Sequence, residues 1–360
     1  MLVSEGLAKV EVEGVFYNPR MRFCRDVDML IFRNMPWKYL DALSASGIRG
    51  IRARLEAGKE VILNDFNRKA AEVIKKNVRL NEVEAEIRCE DARVLMNSGH
   101  FPHVDVDPFG SPAPFFDPAC YSAGRAMSFT ATDTAALCGS AVSSCMRKYS
   151  TFIEKTDFYP EAGIRVLIAG VVCCATKYDK AAYPVVSWAK EHYYRVHFLI
   201  RRSPRLAARI YEDVGYLSYC RKCLRRTWVR LGETPPEFCE CGERMRTYGP
   251  LWLGKLKDSE FLESVVNVNE ERLKEVYGDY WKNMKKALEF LRAVKDESDH
   301  PFYYNLHAIC RSMGISPPPV AKVIEELRNA GYEASRTVLC GVGLRTNAGV
   351  DELRRLLSKI

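Results

Sequence analysis

The chain has 360 residues, enough for two domains with cores of their own. Apolar residues make up 47% and charged residues 28%, which excludes a disordered or fibrous chain. The net charge of +8 is too mild to make the whole molecule a polycation, and no apolar run approaches the roughly 20 residues that span a bilayer, so no membrane partner is expected.

Residues 38 to 170 alternate strand and helix signals. "YLDAL" reads as a short strand and "SGIRGIRARLEAGK" as a helix opened by glycine. "EVILNDF" is a strand, and "NRKAAEVIKKNVRLNE" a helix with apolar spacing at Ala70, Val73, Ile74 and Val78. "AEIRCEDA" and "HVDVDPF" are further strands, and "RAMSFTATD" carries another that ends at Thr134. "IRVLIAGVVCCATKY" and "YYRVHFLIRR" are apolar runs beyond them. Strands separated by helices at this spacing predict a parallel, doubly wound α/β sheet.

Composition shifts near Gly215, where cysteine, arginine and turn residues take over. The expected division is therefore 1–215 and 216–360. The stretch "SVVNVNEERLKEVYGDYWKNMKKALEFLRAVKDE" reads as helical. The last sixty residues read helix, turn, helix, strand, strand, the order of a winged-helix-like module. In "GISPPPVAKVIEELRNAGYEASRTVL", Ser316 is placed to cap, prolines occupy the first turn, and Gly331 closes the helix.

The thirteen cysteines come with a start, "MLVSEGLAKVEVEG", that lacks a signal peptide's basic flank and apolar stretch. A cytoplasmic chain with reduced thiols is expected. Only Cys220, Cys223, Cys239 and Cys241 have ligand spacing: C-x2-C, fifteen residues, then C-x-C-G. Two short turns offering four thiolates describe a closed, structural zinc site. From Lys190 to Arg230, eleven bases face three acids, interleaved with Tyr193, Tyr194, Phe198, Tyr211, Tyr216, Tyr219 and Trp228. Bases that grip phosphates among rings that stack describe an RNA-type surface, with Arg221, Lys222, Arg225 and Arg226 on the knuckle.

In an open α/β sheet, ligands sit beyond the carboxyl ends of the strands, near the switch point. "DALSASGIRG" offers small residues and free helix N–H groups there. Asp65 in "VILNDFN" has the position to hold both hydroxyls of a ribose. Asp91 in "CEDAR" can accept from the exocyclic amine of adenine, with the Ala92 N–H facing a ring nitrogen. Each acid alone is more often a loop residue or a helix cap. The small-residue turn and the two acids, in order at three successive strand ends, describe an adenosine-containing cofactor. There is no Walker lysine, and the turn is not G-x-G-x-x-G. "DPFG" then offers an acid, a rigid proline, a ring and a glycine. With S-adenosylmethionine as methyl donor, Asp107 and the Pro108 carbonyl would aim an incoming amine and Phe109 would stack on a planar base. A packed turn would look the same.

Together these stretches closely resemble the archaeal-type tRNA guanine-26 N2-dimethyltransferases. The resemblance covers nearly the whole chain. It rests on "VFYNPRM", "RDVD", "LSASGIRGIRARLEAG", "NDFNRKAAEVIKKN", "DVDPFGSPAPFFD", "ATDTAALCG", "CMRKYS", "YPEAGIR", "SPPPVAKVIEELRNAGYEASRT" and "GLRTNAG". It implies a Rossmann-like S-adenosylmethionine-dependent methyltransferase domain with a smaller C-terminal α+β domain, the latter carrying the zinc knuckle and the winged-helix-like module. It implies cofactor contacts at Arg25, Arg49, Asp65, Asp91 and Ala92. Asp107 would orient the guanine amine, Phe109 would help stack the base, and Phe16, with Tyr17 beside it, would face the base from the other side. The partner implied is tRNA, with no stable protein partner, and one or two methyl groups would be transferred. Rival readings are an amino-methyltransferase acting on a DNA base or a protein glutamine, and a zinc-bearing RNA-binding protein without catalysis. The chain departs from the family pattern at Cys24 (Asn expected), Ser150 (Gly expected) and Val338 (His expected).

Overall fold

The amino terminus folds back at Gly6 into a hairpin of β1 (Leu2–Glu5) and β2 (Ala8–Glu11). A helix, α1 (Arg22–Phe32), follows; from Cys24 to Phe32 every residue is buried, including Arg25, Asp26 and Asp28. All 360 residues are described by this computed structural model.

The expected alternation then runs through β3 (Tyr39–Asp41), α2 (Ile48–Ala57), β4 (Val61–Asn64), α3 (Arg68–Leu80), β5 (Glu86–Arg88), α4 (Ala92–Ser98), β6 (Phe101–Val106), α5 (Phe116–Ser122) and β7 (Ala123–Ala131). The α3 positions 70, 73, 74 and 78 are buried, and Asn67 caps the helix by accepting from the Lys69 N–H at 2.9 Å. β7 stops at Ala131, three residues short of the expected end, and Thr134 instead starts α6 (Thr134–Leu137). Next come α7 (Val142–Tyr149), α8 (Tyr159–Thr176), β8 (Lys180–Lys190), β9 (Tyr193–Arg202) and α9 (Pro204–Tyr211). α7 ends at Ser150 with φ 54, a left-handed conformation that explains why glycine would be usual there.

The apolar run from 164 is helix α8, not strand. By length and composition it could cross a membrane, yet 72% of it is buried inside the protein. It packs against β8 and α5, and its Glu161 and Arg165 form an ion pair at 2.8 Å.

Seven strands form one sheet in the order β5-β4-β3-β6-β7-β9-β8. β3 to β7 run parallel, with Leu40 between Ile62 and Val104, and β9 and β8 close the edge antiparallel. The chain leaves β3 in one direction and returns on its other side at β6. This reversal is the switch point that opens a crevice at the carboxyl ends.

A three-stranded sheet follows: β10 (Val214–Tyr219) between β11 (Arg226–Arg230) and β12 (Arg246–Trp252). The next region, expected to be one helical stretch, is α10 (Ser259–Val266), α11 (Glu270–Tyr277) and α12 (Trp281–Asp296). Asn269 caps α11 by accepting from Arg272 N, and Gly278, at φ 50, ends it. The tail adds β13 (Tyr304–Asn305), α13 (Leu306–Met313), α14 (Val320–Asn329), β14 (Ala334–Thr337), β15 (Cys340–Thr346) and α15 (Val350–Leu357). α14 starts only after Pro319, so Ser316 caps nothing. Each proline bars its predecessor from helical geometry, and the helix waits for the last one.

One buried cluster runs from Leu40, Val104 and Phe129 through α8 to Tyr248, Leu306 and Leu353. The other, on the opposite face of the sheet, joins Val27, Ile51 and Trp188 to Leu262 and Leu288. Both cross residue 215.

Candidate active site

A cleft of about 560 Å³ opens at the carboxyl ends of β3, β4 and β6. Its walls bring together Asp65, Asp107, Pro108, Phe109, Phe16, Arg25 and Arg49. Ala45 (φ 49) and Gly47 (φ 78) bend the chain tightly from β3 into α2. At Gly50, a Cβ would stand 2.0 Å from Leu63 Cδ2, so any larger residue would force the Leu63 side chain of β4 to shift. Asp65 accepts from the N–H groups of Ala45 and Asn67, both at 2.9 Å, which fixes its carboxylate at the cleft edge.

Arg49 links two acids: one arm of its fork reaches Asp28 and the other Asp107 Oδ2. Asp28 is also held by Arg195, through two contacts at 3.1 Å, and by His197 Nε2 at 3.0 Å. Arg195 in turn grips both oxygens of Asp105 at 2.7 Å. Burial alone would raise Asp105; Arg195 outweighs it and holds the carboxyl below its ordinary range. Burial also pushes His197 and His103 well down, so both are neutral imidazoles. Asp41 is different. Its Oδ2 is buried without a partner, and burial, with Asp105 and Asp107 nearby, pushes its pKa well above the usual carboxylate range.

Arg25 is clamped by Glu5 at 2.6 and 2.7 Å, and Glu5 also accepts from the Tyr17 hydroxyl at 3.0 Å. Tyr17 is thus committed to the wall. Phe16 is the ring that meets Phe109, edge to face with centroids 5.7 Å apart. Phe109 is 89% exposed, a large cost for an aromatic ring with no other role in the packing. The turn beneath it is tied down: Gly110 N donates to Thr132 Oγ1 at 2.7 Å, and Ser111, Tyr149 and Asp133 form a hydrogen-bonded chain at 2.9 and 2.8 Å.

Asp91 and Ala92 stand apart from this lining. Asp91 caps α4, accepting from Arg93 N at 2.8 Å and pairing with the Arg93 side chain at 2.6 Å. That pairing, the largest effect on it, holds its carboxyl at about 2. Sequence reasoning also missed cleft residues. His192, at the β8–β9 turn, lines the cleft with Nε2 buried and unpartnered. Asp28, Asp105 and Arg195 had a readable signal: charges inside otherwise apolar runs must be paired when buried.

The four cysteine sulfurs lie within 4.8 Å of one another, with Cys220–Cys241 at 3.6 Å and Cys223–Cys239 at 3.4 Å. A tetrahedral zinc with bonds of about 2.3 Å spaces its sulfurs about 3.8 Å apart, so the donor set fits that ion. A hydrogen bond from the Glu243 N–H holds Cys241 at about 7. The basic window divides more sharply than its composition suggested. Arg195 and Arg226 are buried in ion pairs with Asp105 and Asp157, and Tyr193, Tyr194, Phe198 and Tyr219 are core. Arg221 and Arg225 pair with Glu154 and Glu240. Arg201, Arg202, Arg205, Arg209 and Lys222 remain exposed. The alternating pattern was a strand's buried face as much as a surface.

A doubly wound sheet with an acid-edged crevice at its switch point, and an acid-proline-aromatic turn over it, defines a Rossmann-like methyltransferase. The comparisons are narrower. Residues 3–358 match the model of the N2,N2-dimethylguanosine tRNA methyltransferase family. The chain is 51% identical over 358 residues to the tRNA (guanine(26)-N(2))-dimethyltransferase of Archaeoglobus fulgidus, covering 99% of this chain and 98% of that one. It is 36% identical to the enzyme of the same name from Methanothermobacter thermautotrophicus, covering 96% and 92%. A solved structure of Trm1 from Pyrococcus horikoshii in complex with S-adenosyl-L-methionine superposes with a TM-score of 0.90 at 34% identity, covering 99% of both chains. The chain belongs to the N2,N2-dimethylguanosine tRNA methyltransferase family.

Proposed function

We propose that the protein transfers one or two methyl groups from S-adenosylmethionine to the exocyclic N2 of guanine 26 in tRNA. The observation that carries this is the meeting of Asp65, Asp107, Pro108, Phe109 and Phe16 in one cleft at the switch point. Asp65 would hold the ribose hydroxyls. Arg25 and Arg49 would flank the cofactor, with Asp91 and Ala92 at the next strand end for its adenine. The unpartnered Asp41 oxygen gives the cleft a polar group that still lacks a hydrogen-bond partner. When bound, the cofactor supplies a methyl group on a positively charged sulfur.

The chain's own work is positioning. Arg49 occupies only Oδ2 of Asp107, which leaves Oδ1 to accept from the guanine amine. The Pro108 carbonyl would accept a hydrogen bond from the second amine N–H and so aim the nitrogen lone pair. The edge-to-face contact of Phe16 and Phe109 leaves no slot for a base, so one ring turns away as guanine enters. Exposing that base costs a few kcal/mol, which backbone contacts elsewhere must offset. Residues 1–215 form the catalytic part in this reading, and 216–360 the docking part, stiffened by zinc at Cys220, Cys223, Cys239 and Cys241. The exposed arginines of β9 and α9, with Lys222, would take phosphates. Such an enzyme works in the cytoplasm, on tRNA.

Incubating purified protein with tRNA and S-adenosylmethionine, then separating the digested nucleosides by mass spectrometry, tests the base, the atom and the methyl count together. N2-methylated guanosine is expected. Label confined to DNA or protein, or tRNA affinity with no heat of cofactor binding, would remove the reading. Asp107→Ala should abolish transfer while tRNA binding persists.

A further inference from the structure

Beneath the cleft, five charged groups alternate in sign: Asp105, Arg195, Asp28, Arg49 and Asp107. The first three have fully buried side chains, and Asp107, at 23% exposure, is where the chain surfaces. Three carboxylates against two guanidiniums leave one negative charge. The imidazoles alongside are neutral.

Asp28 is the centre of this chain, and its orientation is over-determined. Oδ1 accepts from His197 Nε2 at 3.0 Å and Arg195 Nε at 3.1 Å. Oδ2 accepts from Arg195 Nη2 at 3.1 Å and pairs with Arg49. His197 is itself fixed, by Ser128 at 2.8 Å and by stacking on Trp188, and Ser128 is held by His103 at 2.9 Å. Stability does not ask for this. Buried ion pairs are often matched or bettered by apolar packing of similar volume.

We propose that Asp28 is a positioning residue for methyl transfer: it fixes the Arg49 fork so that Asp107 meets the amine in one orientation, and its carboxylate supplies the odd negative charge that favours a sulfonium over a neutral thioether. This rests on the methyltransferase reading. During transfer the N–C bond forms as the S–C bond breaks. Positive charge leaves sulfur for the amine nitrogen, which then sheds a proton to the free Oδ1 of Asp107, and the neutral thioether is the leaving group. A net negative floor matches that charge throughout, and matches the thioether product less well.

Two variants of the full chain separate the two halves of the claim. Asp28→Asn removes the charge and keeps the shape. Isothermal titration should show S-adenosylmethionine binding weakened about tenfold and S-adenosylhomocysteine binding changed by less than about twofold, as expected for one charge lost roughly 12 Å from another at an effective dielectric constant of about 20. Equal weakening of both ligands, or of neither, overturns the charge half. His197→Gln leaves every charge in place but loosens the Asp28 carboxylate, removing the imidazole that helps orient its Oδ1 while Arg195 and Arg49 stay in place. It should keep the wild-type ratio of the two affinities and lower single-turnover kcat about tenfold, with KM for tRNA within about twofold. A wild-type kcat overturns the positioning half, whether or not Asp28→Asn folds. Wild-type protein that binds neither ligand would instead remove the methyltransferase reading itself.

Discussion

Replacing Glu5 by Gln tests whether the ion clusters beneath the cleft hold the fold electrostatically. Glu5 is fully buried and accepts from Arg25 at 2.6 and 2.7 Å, from Arg52 at 2.8 Å and from Tyr17 at 3.0 Å. Burial alone would raise its pKa; Arg25 and Arg52 outweigh burial and bring it from 4.5 to about 2. At about 1.4 kcal/mol per tenfold change in proton affinity, this contributes about 3 kcal/mol at neutral pH. Because the folded pKa is depressed, the contribution is complete above about pH 5 and disappears as pH falls toward 2; at pH 3 about 1.4 kcal/mol is left. Glu5→Gln should therefore destabilise the protein by about 3 kcal/mol at pH 7. For a chain of 360 residues that lowers the melting temperature by about 4 °C. Urea titrations of both proteins at pH 7 and pH 3 provide the assay. A cost that does not shrink at pH 3, or one below about 1 kcal/mol at pH 7, would refute the electrostatic account.

Phe109→Ala should leave the melting temperature unchanged, because the ring is 89% exposed, and lower kcat/KM for tRNA about 5- to 150-fold, since stacking on a base is worth about 1–3 kcal/mol. Changing Cys220 and Cys239 to Ser together should release bound metal, detectable by elemental analysis, and raise amide exchange across β10 to β12; metal-free wild-type protein as purified would contradict this. Glu161→Gln removes a buried carboxylate that accepts from Arg165, Arg345 and the N–H groups of Phe302 and Tyr303. It should cost about 3–5 kcal/mol and loosen residues 302–346 in hydrogen exchange before the sheet itself.

The parallel sheet was legible because its strands and helices carry their own periodicity, and Asp65 and Asp107 were legible because strand ends are where such folds put ligands. Phe16 needed the resemblance, since nothing in "VFYNP" itself points at a pocket. Glu5, Asp28 and Arg195 were not assigned, for a physical reason. Their partners lie 12 to 169 residues away, and a charge inside an apolar run shows that a partner is needed without any local pattern saying which. The basic window misled for the opposite reason. Periodicity two puts alternate residues of β9 on opposite faces of the sheet, but neither face of an interior strand is open to solvent. Arg195 and Tyr194 therefore went inside together.

The second charge cluster bears on how the two halves of the chain cooperate. Arg52 pairs with Glu5 at 2.8 Å, Asp26 at 2.7 Å and Glu56 at 2.7 Å, and Arg25 completes the set. Its outer donors are hydroxyls from beyond residue 215: Tyr277 to Glu56 at 2.8 Å and Tyr280 to Asp26 at 2.9 Å. Buried carboxylates stripped of donors are costly, so these tyrosines tie α11 and α12 to the floor under Arg25. On the opposite face, Glu161 of α8 caps the N–H groups that lead into the tail. The carboxyl-terminal half is therefore tied to both sides of the sheet, and on the Arg52 side the ties lead to Glu5, which holds Arg25 and Tyr17.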